Sequence, residues 1–199
     1  MRQSYFLLIC GIVFLSLLTA GCSKDTPQYN ELFTQVEKHR SVFKQPLEEG
    51  LNALGIKDAA QAYDATLGTL MLDEKLTVNQ KEFIQQMKAD VTDGKITGYR
   101  IGMVFPRSDS GYEDARELVR AFLNQYKPVD EAEADKVEES LRSIDGMTFP
   151  LKPLTGAVEE SWTHGEGDDK LFITYRMANS FDSDKELPLN LYFSSEEQP

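Results

Sequence analysis

Apolar positions between residues 29 and 54 recur at steps of three and four residues, which predicts a helical N-terminal part. The stripe consists of Tyr29, Leu32, Phe33, Val36, Phe43, Leu47, Leu51 and Leu54. Pro46 interrupts it. Because proline lacks an N–H and clashes with the preceding turn, we expect a kink or two helices, with Pro46 in the first turn of the second. Gly55 fits the end of that helix.

The segment 58–91 gives a mixed signal. Residues 58–78 fit either a helix or a strand. Residues 79–91 favour a helix, because Asn79 and Glu82 have the spacing of a capping pair and the apolar residues share one helical face. These apolar residues are Phe83, Ile84, Met87 and Val91.

Two further helices are expected at 111–126 and 130–144, where apolar residues again follow helical spacing. Ser110 and Glu113 form the S-x-x-E pattern of a capping box before the first of them. Phe122 lies in the middle of its apolar stripe, so we expect this ring between the helix and a sheet.

Three segments alternate apolar and polar residues and therefore predict strands: 99–105, 171–177 and 187–193. Residues 157–163 and 170–178 flank the turn-rich sequence HGEGDD, which indicates a hairpin. Pro188 favours an edge position for the last strand, since it cannot donate to a neighbour.

These elements together predict an α+β fold. Its antiparallel sheet has about three to five strands, amphipathic helices pack on one face of the sheet, and the N-terminal part is helical. No long linker divides residues 29–199, so we expect a single domain there, after a tether at 22–28.

The N-terminus adds a targeting signal to this picture. One basic residue, Arg2, precedes an almost unbroken apolar run of 14 residues from Tyr5 to Leu18. At about 1.5 Å per residue this run is short for a hydrocarbon core of about 30 Å. A basic start, an apolar middle and small residues at its end are typical of a secretory signal peptide.

The sequence Thr19-Ala20-Gly21-Cys22 resembles the lipobox of bacterial lipoproteins. The resemblance covers only the first tenth of the chain. It implies that residues 1–21 are a signal peptide, cleaved between Gly21 and Cys22, and that Cys22 carries a diacylglyceryl group and often an additional acyl chain such as palmitate. Thr19 departs from the leucine that is most common at its position.

The resemblance also implies a location outside the cytoplasm, on a membrane surface. In Gram-negative lipoproteins an Asp after the cysteine commonly marks retention at the inner membrane, and here Ser23 follows. We therefore expect the outer membrane, facing the periplasm, in a Gram-negative host, and the outer face of the cell membrane otherwise.

The net charge limits the classes of binding partner, and the cysteine content limits the possible disulfides. Residues 1–21 contain one basic residue and no acid, so the remaining 178 residues have 20 basic and 33 acidic residues, a formal net charge of −13. Such a chain repels nucleic acid, which we exclude as a partner. Cys22 is the one cysteine left after cleavage, so a lipidated chain forms no disulfide.

Candidate chemistry is sparse. No G-x-S-x-G, H-E-x-x-H, G-x-x-x-x-G-K or G-x-G-x-x-G motif occurs, and we expect no catalytic residue, metal site or cofactor. His39 is expected on a solvated helix face. The one cluster with chemical potential lies in the hairpin, where ligand-site candidates are Trp162, His164, Glu166 and Asp168.

These observations predict a non-catalytic binding or envelope-assembly module with an envelope protein as its partner. Two alternatives stay open on the sequence. One is a sensor of a small ligand or metal. The other is a hydrolase-type enzyme in which His164 acts as a base oriented by Glu166 or Asp168.

Overall fold

The computed structural model of the chain describes residues 29–56, 63–90, 92–145, 157–178 and 185–197. The predicted signal peptide, Cys22 and the predicted tether at 22–28 lie outside these ranges.

The described strands form one antiparallel sheet of seven strands, in the spatial order β1-β2-β3-β4-β7-β6-β5. Their bounds are β1 Tyr63–Asp64, β2 Thr69–Val78, β3 Lys81–Ala89, β4 Ile96–Pro106, β5 Ala157–His164, β6 Leu171–Ala178 and β7 Glu186–Ser194. Four helices accompany them: α1 Asn30–Arg40, α2 Leu47–Leu54, α3 Asp109–Gln125 and α4 Glu131–Asp145. The order along the chain is thus two helices and a run of strands, followed by the same again.

The predicted fold, with a sheet of about three to five strands, is wrong. The additional strands come from the segment with the mixed signal, where β2 and β3 pair as an antiparallel hairpin. Asn79 and Gln80, at φ 51° and 63°, form its two-residue turn. Positive φ at both central residues is the conformation of a type I′ hairpin turn, for which Asn is well suited. Asn79 therefore starts a turn and does not cap a helix.

The pairing of β4 with β7 joins the two halves of the sheet at its centre and covers nine residue pairs, from Gly98↔Ser194 to Pro106↔Glu186. The prediction of an edge position for Pro188 is also wrong, since β7 lies between β4 and β6. The β6–β7 pairing ends at Met177↔Leu189, so it stops at the residue that follows Pro188. Proline is tolerated in this central strand because it has a paired neighbour only in β4.

All four helices pack on one side of the sheet, and α2 does so through Gly50, which lies against the side chain of Ile96 in β4. His39 of α1 stacks on Tyr99 of β4, and Phe122 of α3 contacts Phe193 of β7 with ring centroids 5.5 Å apart. The hydroxyl groups of Ser140 in α4 and Tyr175 in β6 are hydrogen-bonded. Phe122 is fully buried, which confirms the prediction that it lies between helix and sheet.

The helix ends show how the local sequence sets the boundaries. Pro46 is the residue immediately before α2 and not, as predicted, part of its first turn, whereas Gly55 ends that helix at φ 76°, as predicted. The cap of α3 is Ser108, whose hydroxyl accepts from the Gly111 N–H at 3.2 Å, and not the predicted Ser110.

Candidate functional site

Trp162, the first of the hairpin candidates, is part of the core. It lies in β5 and is 1% exposed, and its indole N–H donates to the carbonyl oxygen of Tyr126 at 2.7 Å. This bond ties the end of α3 to the sheet. The ring offers no exposed surface on which a ligand can stack.

His164 lies at the end of the same strand and contacts the same loop. Its Nδ1 is 3.0 Å from the carbonyl oxygen of Lys127, and its ring meets the Tyr126 ring edge-on, with centroids 5.6 Å apart. Burial raises the pKa of Tyr126, and the nearby Glu37 carboxylate raises it further. His164 thus packs on a neutral phenol and braces the α3–α4 loop.

Glu166 and Asp168 are exposed at the tip of the hairpin. A short 3₁₀ turn, Gly167–Asp169, forms this tip. The tip is held against α1 through its backbone, because Arg40 donates to the Asp169 carbonyl oxygen at 2.7 Å and Lys44 to that of Asp168 at 3.4 Å.

Trp162 and His164 both contact Tyr126, but they do not line a common pocket that a ligand could enter. Among the described residues, no hydrogen bond or ion pair joins His164 to Glu166 or Asp168, and no group of three or more His, Cys, Asp and Glu side chains is arranged to hold a metal ion. A catalytic base needs its orienting carboxylate within hydrogen-bond reach, and the described geometry does not provide it.

His164→Ala is expected to lower the free energy of unfolding by about 0.5–1.5 kcal/mol, since it removes the bond to Lys127 and the contact with Tyr126. A residue in an exposed turn without these contacts would give a nearly neutral change. Glu166→Ala is the control and is expected to stay within about 0.5 kcal/mol. Urea unfolding measures both. A melting temperature that rises with zinc or calcium in the wild type, and not in His164→Ala, would contradict this structural role.

The prediction that His39 lies on a solvated helix face is wrong. His39 is 2% exposed and lies flat on the Tyr99 ring, with centroids 4.0 Å apart and an interplanar angle of 4°. Its Nδ1 is 2.8 Å from the Gln35 carbonyl oxygen, and the Tyr99 hydroxyl donates to Gln85 Oε1 at 2.6 Å. His39, Tyr99 and Gln85 thus form a polar cluster inside the core, joined by the ring stack and by the Tyr99–Gln85 hydrogen bond.

The residues that sequence reasoning missed lie on the side of the sheet opposite to the helices, which we call the open face. Five large apolar residues of the described chain are at least 43% exposed, and three of them are on this face: Met71 of β2, Ile84 of β3 and Val104 of β4. The strand pairing places these three on neighbouring strands. Their apolar character interrupts the alternation of polar residues expected for a solvated face.

The centre of the open face combines arginine, glycine and aromatic residues. Arg100 of β4 pairs with Tyr192 of β7, and Gly98 and Gly102 lie on either side of Arg100 on the same face. A groove of about 620 Å³ extends from Tyr192 over β6 and β5 as far as Glu133 and Lys136 of α4. Its lining on this face includes Phe172, Thr174, Arg176, Glu159 and Ser161. The signal for this site is an arginine between two glycines at the polar positions of a strand, in the sequence GYRIG.

Comparison of the chain with protein-family models, with curated proteins and with solved structures finds no match. Within the described part of the chain, none of the helices has the length and apolar character needed to cross a membrane.

Proposed function

We propose that this protein is a lipid-anchored module outside the cytoplasm that binds a partner protein of the cell envelope through the open face of its sheet, without catalysis. The observation that carries the proposal is the exposure of Met71, Ile84 and Val104 on three adjacent strands, on the side of the sheet that no described helix covers. Exposed apolar residues that are contiguous mark interaction surfaces.

The lining and the size of the open face favour a protein over a small molecule. Small-molecule sites are concave and lined mainly by apolar and aromatic side chains, whereas most of the residues that line the groove beside Tyr192 are charged or polar. A standard protein interface buries roughly 800 Å² on each partner, which a sheet of seven strands can provide.

The lipobox supports the location in this proposal. Each buried methylene contributes about 0.8 kcal/mol, so one acyl chain binds a membrane marginally, and two or more hold firmly. Residues 23–28 would then connect lipidated Cys22 to the start of the described chain at Tyr29. The short tether keeps the domain close to the membrane surface, where partners of the same envelope are concentrated.

A photocrosslinking amino acid placed at Val104 or Ile84 tests the proposal in cells that produce the full-length protein. We expect a discrete crosslinked product of one partner from both positions. Matched controls at Asn124 of α3 and Asp135 of α4, which are exposed on the helical side, are expected to give none.

Val104→Glu in the chain with the crosslinker at Ile84 distinguishes specific docking from chance proximity. The buried charge should suppress the product, because an unpaired carboxylate in an apolar contact is costly. Products from the helical side alone, no product at any position, or a product that Val104→Glu leaves unchanged would contradict the proposed function.

A further inference from the structure

Arg100 occupies the centre of the open face. The pairing of the strands places it in one cross-strand row with Gln86 on β3, Tyr192 on β7, Thr174 on β6 and Ser161 on β5. A group bound at Arg100 would therefore lie in the middle of the surface assigned above to a partner.

The backbone around Arg100 is kept clear of side chains by two glycines. A Cβ at Gly102 would lie 2.8 Å from Asn190 Oδ1 and 3.8 and 3.9 Å from the Nη2 and Nε atoms of Arg100. The guanidinium thus lies over Gly102, beside the side-chain amide of Asn190. A Cβ at Gly98 would lie 2.9 Å from the carbonyl oxygen of Phe193. Larger residues at these two positions would displace the arginine or the strand.

Tyr192 holds the guanidinium in place. The central carbon of the Arg100 guanidinium is 5.9 Å from the centre of the Tyr192 ring. Such a contact between a cation and an aromatic ring orients the planar group before any ligand arrives, which lowers the entropic cost of binding.

Arg100 has no acidic partner among the described residues, although the protein is rich in acids. Arg40, Arg116, Arg120 and Arg176 each pair with a Glu carboxylate within 4 Å. Arg100 forms no ion pair or hydrogen bond with any described side chain, and its Nε is buried without an acceptor. A guanidinium has five N–H donors, which match the two oxygens of a carboxylate.

We propose that Arg100 receives a carboxylate from an acidic side chain of the partner protein that docks on the open face. This inference rests on the proposed function and adds to it the chemistry of the partner. A single carboxylate presented by a protein is favoured over an anionic membrane surface, because the net charge of −13 on the chain after residue 21 repels such a surface as a whole. The exposed apolar residues Ile84, which pairs with Gly102, and Val104, two residues beyond Gly102 on β4, also favour contact with a protein.

The test uses the lipidated full-length protein in neutral detergent micelles, with the arginine side chains labelled for NMR. The probes are a five-residue peptide of two glutamates between glycines, its glutamine analogue, and inorganic phosphate. We expect the Nε–Hε resonance of Arg100 to shift saturably with the glutamate peptide, and the glutamine analogue to bind at least about tenfold more weakly.

The glutamate peptide should also shift the backbone amide resonances of Gly98 and Gly102, which flank Arg100. Arg100→Gln is expected to abolish these amide shifts. Arg176→Gln is the matched control, because Arg176 lies on the same face but already pairs with Glu159 at 3.2 Å. That variant should leave binding of the glutamate peptide within about twofold, in line with the small contribution of exposed ion pairs.

Equal binding of the two peptides, equal loss in both variants, or a shift with phosphate and none with the glutamate peptide would overturn the carboxylate assignment. Crosslinking from Val104 and Ile84 reports separately on the proposed function. Crosslinks without peptide binding would refute only the role of Arg100, and peptide binding without crosslinks would refute only the docking of a partner.

Discussion

Phe122→Ala is expected to lower the free energy of unfolding by about 3–5 kcal/mol, the range measured for Phe-to-Ala changes in cores. Phe122 is fully buried, and its ring centroid lies 5.0 Å from that of Phe33, 6.0 Å from Tyr126 and 5.5 Å from Phe193. The ring therefore joins α1, α3 and β7 at one point. Its removal leaves a cavity that rigid elements on three sides cannot close.

Equilibrium unfolding in urea measures this loss, and the fluorescence of Trp162, the sole tryptophan, reports on it from inside the core. Leu67→Ala is the control, since Leu67 is 65% exposed and the change is expected to stay within about 0.5 kcal/mol. Should the alanine variant fail to fold, Phe122→Leu gives a smaller loss in the same direction. A loss below about 1 kcal/mol for Phe122→Ala would show that the packing of α3 on the sheet is described incorrectly.

Cys22→Ala is expected to release the protein from membranes or to leave it as an unprocessed precursor. The lipobox resemblance assigns both the lipid and the cleavage site to this residue, so no acyl chain would remain to bind the bilayer. Membrane fractionation and mass spectrometry of the N-terminus measure the two outcomes.

Cys10→Ala is the matched control for this substitution. Cys10 lies in the apolar part of the signal and would leave with it, so its replacement should change neither processing nor membrane association. An unmodified N-terminus at any residue other than Cys22 in the wild type would refute the lipoprotein interpretation.

Local signals were sufficient for several elements of the fold. The helical spacing around Phe122, the alternation in 99–105 and the HGEGDD turn each predicted an element that the structure contains. Gly55 marked the end of α2 because few other residues adopt a φ of 76° without strain. In these segments the hydrophobic period and the turn chemistry agree with each other.

The size of the sheet could not be predicted in the same way. In β3 the inward positions are Phe83, Gln85, Met87 and Ala89, and the exposed Ile84 lies between them. Because Gln85 is polar but buried and Ile84 is apolar but exposed, the apolar residues of β3 do not alternate with polar ones and instead match the spacing of a helical face. Gln85 is tolerated in the core only because the Tyr99 hydroxyl, from the next strand, donates to it.

For the candidate site, too, local sequence and strand pairing gave different information. The sequence singled out Trp162 and His164 for their chemistry, and the structure uses both to fix the α3–α4 loop. Arg100 could not be identified as a candidate from the sequence, because a single arginine in a strand indicates a binding site only when the residues of the neighbouring strands are known. Its neighbours come from β7, about ninety residues further along the chain.

The sequence by itself determined the acidic charge and those helices and strands whose hydrophobic period is clear, and it carries the prediction of a targeting signal. These properties depend on composition or on neighbours within a few residues. Only the tertiary structure decided the seven-stranded order, the burial of His39 and Gln85, and the position of Arg100 between Gly98, Gly102 and Tyr192. Those features depend on pairing between distant segments, for which the residues involved carry no local period.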